Sequence, residues 1–298
     1  MKNRNSHNIL FLGYGYVAQC FCRKYNLEKF NLAASINVSQ EKYFKAPSEV
    51  KKIGFSEIKD SFLDSYDNFV ISIPPFYQLK TDAVIDKFHD YFLNRKTPYK
   101  LIYLCATSVY GDHEGERVQE DSDLKAQSSN GLARVSCENK YLELQVNELA
   151  NIIILRLAGI YGDKRNSILA IRDKEITQNK SSNRIISRTH VADITAIIKK
   201  VILSPKIKNQ IFNVSDNNPC PTNEVNDYIC EELLKINKLP IGRDLKEYSG
   251  NGIEKKLIKG RKVYFLDYKK VNEYLKQKGY FEEIEEIEEE NMESDEDY

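Results

Sequence analysis

Asn8-Ile9-Leu10-Phe11-Leu12-Gly13-Tyr14-Gly15-Tyr16-Val17-Ala18 is the stretch from which the rest of this 298-residue chain is read. Its apolar run has the character of a buried strand, and a Gly-x-Gly-x-x-Ala turn follows directly, with a helix-compatible segment reaching Tyr25 beyond it. Each small residue has its own physical task in such a turn. Gly13 permits the tight reversal, Gly15 lets the backbone approach a diphosphate with no Cβ in the way, and Ala18 lets the helix pack closely on the strand. The free N–H groups at the start of the helix, around Tyr16 and Val17, then face the phosphates. The competing reading is an ordinary strand–helix turn. Placement between a strand and a helix at the start of an α/β pattern favours the dinucleotide site.

The chain is 41% hydrophobic and 30% charged, a composition suited to a water-soluble domain with a sizeable core. No apolar run is long enough to span a bilayer, and Met1–His7 lack the apolar core of a signal peptide, so a cytoplasmic protein with no membrane partner is expected. Six cysteines, Cys20, Cys22, Cys105, Cys137, Cys220 and Cys230, show no metal-ligand spacing; reduced thiols and no metal are expected. Residues 281–298 hold eleven acids and no base, which leaves 33 acids against all 44 basic residues in the rest of the chain. Those lysines and arginines are spread along the body rather than gathered, so no nucleic-acid site is expected. The acidic tail reads as a solvated, disordered or frayed helical end.

Apolar strand candidates alternate with helical segments, the signature of a parallel sheet wrapped by helices. Strands are expected at Ile9–Leu12, Leu32–Ile36, Phe69–Ile73, Leu101–Cys105, Ile152–Leu157 and Ile211–Val214, with shorter ones at Lys52–Phe55 and Arg184–Ile186. Helices are expected at Tyr16–Tyr25, Leu79–Asn94, Leu132–Leu149, Ile168–Thr177, Val191–Leu203 and Asn223–Ile236. Leu132, Val135, Leu142 and Leu149 share a broadly apolar helical face, with charged residues between them. Pro74-Pro75, Asn217–Pro221 and Gly250-Asn251-Gly252 mark linkers or loops.

Four later segments follow the glycine turn in order. They are Ile71-Ser72-Ile73-Pro74-Pro75, Tyr103-Leu104-Cys105-Ala106-Thr107-Ser108-Val109-Tyr110-Gly111-Asp112, Leu155-Arg156-Leu157-Ala158-Gly159-Ile160-Tyr161-Gly162 and Ser187-Arg188-Thr189-His190-Val191-Ala192-Asp193. With Ile211–Asp216, the pattern resembles the extended and atypical short-chain dehydrogenase/reductase superfamily, in its nucleoside-diphosphate-sugar epimerase-like branch, from about residue 8 to about residue 275. The resemblance implies an α/β fold, a Rossmann-type doubly wound parallel sheet with a smaller C-terminal substrate-cap region. It divides the chain into an NAD(P)-binding Rossmann domain at 8–160, a further sheet strand plus a mostly helical substrate-binding region at 161–280, and the tail at 281–298. It also implies that Ile73 and Pro74 pass near the adenosine ribose, that Cys105 and Ala106 lie under the nicotinamide, and that Ala158 sits close to the carboxamide. A homodimer is common among proteins of this kind.

Against that family the chain departs at its chemistry. Extended members use a Ser or Thr and then Tyr-x-x-x-Lys, in which Lys and the cofactor's charge lower the Tyr pKa so that the phenolate serves as base. The Val-Tyr-Gly anchor puts Ala106 at the Ser position, and aligning the helix through Glu138 puts Asn130 at the Tyr position and Arg134 at the Lys position. Thr107 and Ser108 are the nearest substitute hydroxyls. Arg134 keeps the positive charge without being able to shuttle a proton, and Asn130 is neither acid nor base in water. Tyr110, Tyr161 and His190 remain as titratable candidates, each with a structural role as the alternative; His190 in particular can order the loop entering the next helix. The candidate catalytic set is therefore Thr107, Ser108, Arg134 and Tyr161. Arg165, Arg188 and His190 are the candidate substrate contacts, for a small polar or nucleotide-linked molecule, with helix capping or surface pairing as the arginines' alternative.

Cofactor choice turns on the end of the second strand, where an acid would bind a ribose diol and an Arg a 2′-phosphate. Ser35-Ile36-Asn37 carries no acid at the tip, which makes Asn37 the expected contact. With Lys42 nearby, NADP or NAD is expected, with a lean toward NADP. Loss of the three aligned catalytic groups also leaves open a protein that binds the cofactor without turnover, as a sensor or assembly partner, or a decaying gene product that keeps the fold and little else.

Overall fold

The computed structural model describes residues 7–25, 30–37, 46–78, 81–163, 165, 184–222, 224–225, 228, 253–258 and 261–266. By internal contact the chain divides into two compact units, Met1–Asp163 with Arg184–Cys220, and Lys164–Asn183 with Pro221–Tyr298. Elements run in the order β1 (His7–Leu12), α1 (Tyr16–Lys24), β2 (Phe30–Ile36), β3 (Lys51–Gly54), α2 (Asp60–Leu63), β4 (Asn68–Ile71), α3 (Ala83–Asn94), β5 (Tyr99–Ala106), α4 (Ser129–Glu143), β6 (Ala150–Leu157), β7 (Gly159–Tyr161), β8 (Ile185–Ile186), β9 (Arg188–His190), α5 (Val191–Leu203), β10 (Gln210–Val214) and β11 (Cys220–Pro221). In the second unit, β12 (Ile253–Ile258) and β13 (Arg261–Leu266) form an antiparallel pair, Ile253 opposite Leu266.

Seven strands of the first unit form one sheet in the order β10-β6-β5-β4-β1-β2-β3. Every pairing in it is parallel. This is a Rossmann-type α/β sheet, and the order reverses between β1 and β4, which opens a crevice at the carboxyl ends of those two strands. Alternation along each strand feeds two separate cores. Ile9 and Phe11 of β1, Ile102 and Leu104 of β5, and Ile153 and Leu155 of β6 join Val17, Ala18 and Phe21 of α1 and Ile194, Ile198 and Val201 of α5. Leu10 and Leu12, Leu101 and Tyr103, and Ile152 and Ile154 point the other way, onto Val84, Ile85, Phe88 and Phe92 of α3 and Cys137 and Tyr141 of α4. Covering both faces explains why these strands are apolar almost throughout.

Differences from the sequence reading concern the ends of elements. The strand expected to reach Ile73 stops at Ile71, because Ser72 N and Ile73 N both turn to donate to Leu12 O at 2.9 and 3.2 Å. The helix expected from Leu79 begins at Ala83: Asp82, fully buried, caps it by accepting from Val84 N at 2.9 Å and Ile85 N at 2.8 Å. Tyr141 of α4 donates to both oxygens of the same carboxylate, at 3.0 and 2.9 Å, and so ties α4 to the start of α3. The helix expected at Leu132–Leu149 runs from Ser129 to Glu143, followed by a 3₁₀ turn at Leu144–Val146, and Ser128 caps it through Gly131 N. On the apolar face of this helix Val135 and Leu142 pack, partly buried, against the core. Gly131, Ala133, Cys137, Glu138 and Tyr141 are buried, whereas Leu132 and Leu149 are each 38% exposed. The expected helix at Ile168–Thr177, the glycine loop at 250–252, Cys230 and the tail lie outside the described residues, as does most of the helix expected at Asn223–Ile236.

Among the described residues no helix is long and apolar enough to cross a membrane. No group of three or more His, Cys, Asp or Glu side chains among them could hold a metal ion. Cys20, Cys22, Cys105, Cys137 and Cys220 are free thiols.

Candidate functional site

The crevice at the sheet's reversal is built around the glycine turn. Gly13 adopts φ +104°, a conformation that favours glycine, and a Cβ there would lie 2.8 Å from Ser72 Oγ and 2.9 Å from Ile73 Cγ1. Gly15 is different in kind. It caps α1 in an extended conformation, φ −77°, that any residue adopts, and a Cβ there would meet nothing within 4 Å. Neither backbone strain nor protein packing therefore requires glycine at 15. The space before α1 at this residue is open. No side chain caps α1, its first turn carries no acid, and Arg23 and Lys24 sit in its last turn. Its N-terminal N–H groups and dipole are thus disposed to receive an anion.

Around the turn, Val17 and Ala18 are buried against the sheet, and Asn37 stands exposed just past the end of β2. Ile73 is half-buried, Pro74 exposed and Pro75 buried. Tyr16 reaches toward the end of β7: a Cβ on Gly162 would come within 2.4 Å of Tyr16 Oη and 2.7 Å of Val191 Cγ1, so the backbone at Gly162 passes directly beneath that side chain.

The carboxyl ends of β5 and β6 form the neighbouring floor. Ala106 ends β5 and starts a 3₁₀ turn, Thr107–Val109, in which Thr107 is half-buried and Ser108 exposed. Against this turn presses the start of α4, where a Cβ on Gly131 would lie 2.6 Å from Ser108 O. Asn130 is exposed, and half-buried Arg134 donates from Nη1 to Leu104 O at 3.4 Å, which anchors its cation on the β5 backbone. Tyr110 is committed elsewhere, its hydroxyl accepting from Arg156 Nη1 at 2.7 Å and donating to Asn213 Oδ1 at 2.7 Å. Arg156 also binds the buried Glu138 carboxylate through two of its nitrogens and donates to Glu120 O at 2.9 Å. Ala158 is buried, its N–H donating to Val214 O.

Tyr161 and His190 are brought together by the β7–β9 pairing, in which they are register partners with rings 5.1 Å apart and edge-on. His190 caps α5, its Nδ1 accepting from Ala192 N at 3.2 Å, which places the proton of the neutral ring on Nε2. Arg188 lies on the same strand, where its carbonyl accepts from Asp216 N and its Nη1 contacts Cys220 Sγ at 3.4 Å. Arg165 is exposed and belongs to the other unit. Sequence reading missed the Ser35 and Ser72 hydroxyls at the turn and the Glu138–Arg156 pair. Each is visible as a residue, but their partners lie far away in the chain.

Burial governs the thiols of both cores. It pushes Cys105, beneath Ala106, well above the ordinary thiol value, Cys137 up to about 12 and Cys22 up to about 11. The folded chain therefore keeps protons that an unfolded chain loses above pH 9.0. That stabilisation is complete below the ordinary value and is lost as pH rises through the folded-state values. The urea midpoint is expected to fall between about pH 8 and about pH 11, with Cys22→Ala showing a shallower fall than the parent protein. An identical slope in the two proteins would refute the role of this thiol.

No protein-family model matches the chain, and no curated protein matches its sequence. Its fold does match solved structures. A functionally unknown conserved protein from Silicibacter pomeroyi is 24% identical, with a TM-score of 0.65 over 82% of this chain and 83% of that one. UDP-glucuronic acid 4-epimerase from Bacillus cereus, in complex with NAD, is 18% identical, with a TM-score of 0.63 over 80% of this chain and 86% of that one. dTDP-glucose 4,6-dehydratase from Bacillus anthracis, also in complex with NAD, is 18% identical, with a TM-score of 0.61 over 77% and 81%. The similarity establishes a shared fold.

Proposed function

We propose that this chain is a nicotinamide-dinucleotide-binding protein of the NAD-dependent epimerase/dehydratase-like kind, acting on a small polar or nucleotide-linked molecule without the usual phenol base. One observation carries the cofactor reading: Gly15 sits at the N-terminus of α1 facing open space, in a conformation that does not need glycine. The fold shared with two NAD complexes supports it. In this reading the N–H groups at the start of α1 hold the diphosphate, Asn37 faces the adenosine ribose, and the backbone at Cys105 and Ala106 underlies the nicotinamide. The cofactor itself would supply a hydride acceptor or donor.

The protein's own groups then have restricted parts to play. With Ala106, Asn130 and Arg134 at the positions of the usual Ser, Tyr and Lys, proton transfer would fall to Thr107 or Ser108 on the 3₁₀ turn, or to Tyr161. Arg134 would supply charge without moving a proton. Arg188 and His190 would contact the substrate from β9. The free thiols fit a reducing, cytoplasmic setting. The earlier lean toward NADP rests on the acid-free tip of β2, and the neighbours' NAD does not support it; NAD is the first ligand to test.

A second reading, cofactor binding without turnover, draws on one observation. The hydroxyl of Tyr110 and the guanidinium of Arg134 are both engaged by protein partners rather than directed at a reactant. Calorimetric titration with NAD and with NADP is expected to show saturable binding of at least one of them, and no binding of either at millimolar concentration would sink both readings. Given binding, a hydride-transfer screen across nucleotide-linked substrates separates them. Activity lost on Ser108→Ala or Tyr161→Phe supports turnover, and activity indifferent to both removes these residues from the chemistry.

A further inference from the structure

The backbone N–H and C=O of Gly13, one from each of the two peptide units that flank its Cα, are both taken up by serine side chains. Gly13 N donates to Ser35 Oγ at 2.9 Å, and Gly13 O accepts from Ser72 Oγ at 2.7 Å. Ser35 lies on β2, 1% exposed, and Ser72 follows β4, so the two hydroxyls approach Gly13 from the strands on either side of β1. The fit is close, since Ser72 Oγ would be 2.8 Å from any Cβ at Gly13. Gln19 adds a further tie, its Nε2 donating to Tyr14 O at 3.3 Å.

We propose that Ser35 and Ser72 are positioning residues for the dinucleotide: a hydroxyl clamp that sets the two peptide units flanking Gly13 before ligand arrives. This rests on the cofactor-binding reading above. Gly13 holds φ +104°, where glycine has more freedom than any other residue, so a turn without side-chain ties would sample many orientations. Each of those would aim the donors at the start of α1 differently. Holding the peptide units on both sides of the Gly13 Cα removes that freedom in the unliganded protein, and a ligand then loses less affinity to ordering the turn. The strand ends themselves supply the rigidity: Ser35 is register-paired with Ile53 inside the sheet, and Ser72 N is bonded to Leu12 O at 2.9 Å. Neither hydroxyl has to touch the ligand for this to work.

The test separates positioning from simple stability. Titrating NAD and adenosine into the parent protein, Ser35→Ala, Ser35→Thr and Ser72→Ala, well below each variant's melting temperature, reads affinity in the folded state. The expected result is about a tenfold weaker NAD affinity in each alanine variant, corresponding to loss of one well-placed interaction. Adenosine, which lacks the diphosphate, is expected to bind all four proteins alike, and Ser35→Thr is expected to restore NAD binding. Should the alanine variants melt earlier yet bind NAD as the parent does, the hydroxyls are structural only and the clamp is overturned while cofactor binding stands. Equal weakening for adenosine and NAD would likewise overturn it, since the defect would then not be at the diphosphate. A parent protein that binds no NAD would overturn the cofactor reading, and the clamp with it.

Discussion

Replacing Glu138 by alanine is expected to lower the stability of the fold by about 3–5 kcal/mol, the cost of leaving a buried charge without its partner. Arg156 and Glu138 have side chains 3% and 1% exposed, so water cannot take the carboxylate's place. The arginine would keep Tyr110 Oη and Glu120 O, two neutral acceptors, and lose the only anion bound to it among the described residues. Damage would spread beyond the pair. Tyr110 also holds Asn213, whose N–H donates to Glu120 Oε1 at 2.7 Å, so β10, the edge strand beside β6, depends on the same network. Removing both charges, as Glu138→Leu with Arg156→Met, is expected to recover much of the loss, because nothing charged is then stranded. Urea unfolding of the parent, the single variant and the double variant measures this. A single-variant loss under about 1 kcal/mol would show that the guanidinium finds solvent, and the buried network would have to be abandoned.

Gly15→Val is expected to weaken NAD affinity by at least about a hundredfold while leaving the unfolding midpoint nearly unchanged. The two halves of that statement rest on one fact: a Cβ at residue 15 would meet no protein atom within 4 Å. The first carbon of a side chain there meets no packed neighbour, and the branched valine is expected to fill the approach to the N–H groups of α1. Gly13→Ala should behave differently, losing stability as well as binding, because of its left-handed conformation and the contacts with Ser72 and Ile73. Calorimetric titration alongside thermal melts distinguishes the two glycines. Undiminished NAD binding by Gly15→Val would place any dinucleotide away from α1.

Much of the molecule was legible residue by residue. Periodicity located all seven strands of the sheet, and helix α5 was read at its observed limits, Val191–Leu203. Gly13, read as the residue of the tight turn, has a positive φ. Helix α4 was harder. Val135 and Leu142 of its apolar face pack against the core, but the fully buried positions are Gly131, Ala133, Cys137, Glu138 and Tyr141. A hydrophobic pattern ranks Leu above Gly and Glu. It has no means of knowing that Gly131 must approach Ser108 O closely, or that Glu138 is wanted inside by Arg156.

The sequence by itself determined the parallel sheet and the glycine turn. These are written in short stretches, where strand alternation, helical period and backbone freedom act between near neighbours. Only the tertiary structure decided which hydroxyls hold Gly13, which arginine is buried with Glu138, and that Tyr110 is bound into the sheet edge. Gly13 is 22 residues from Ser35 and 59 from Ser72, and Tyr110 is 103 from Asn213. Pairings at such separations are selected by distance, direction and the exclusion of water once the strands are side by side, and no local pattern in the chain encodes them.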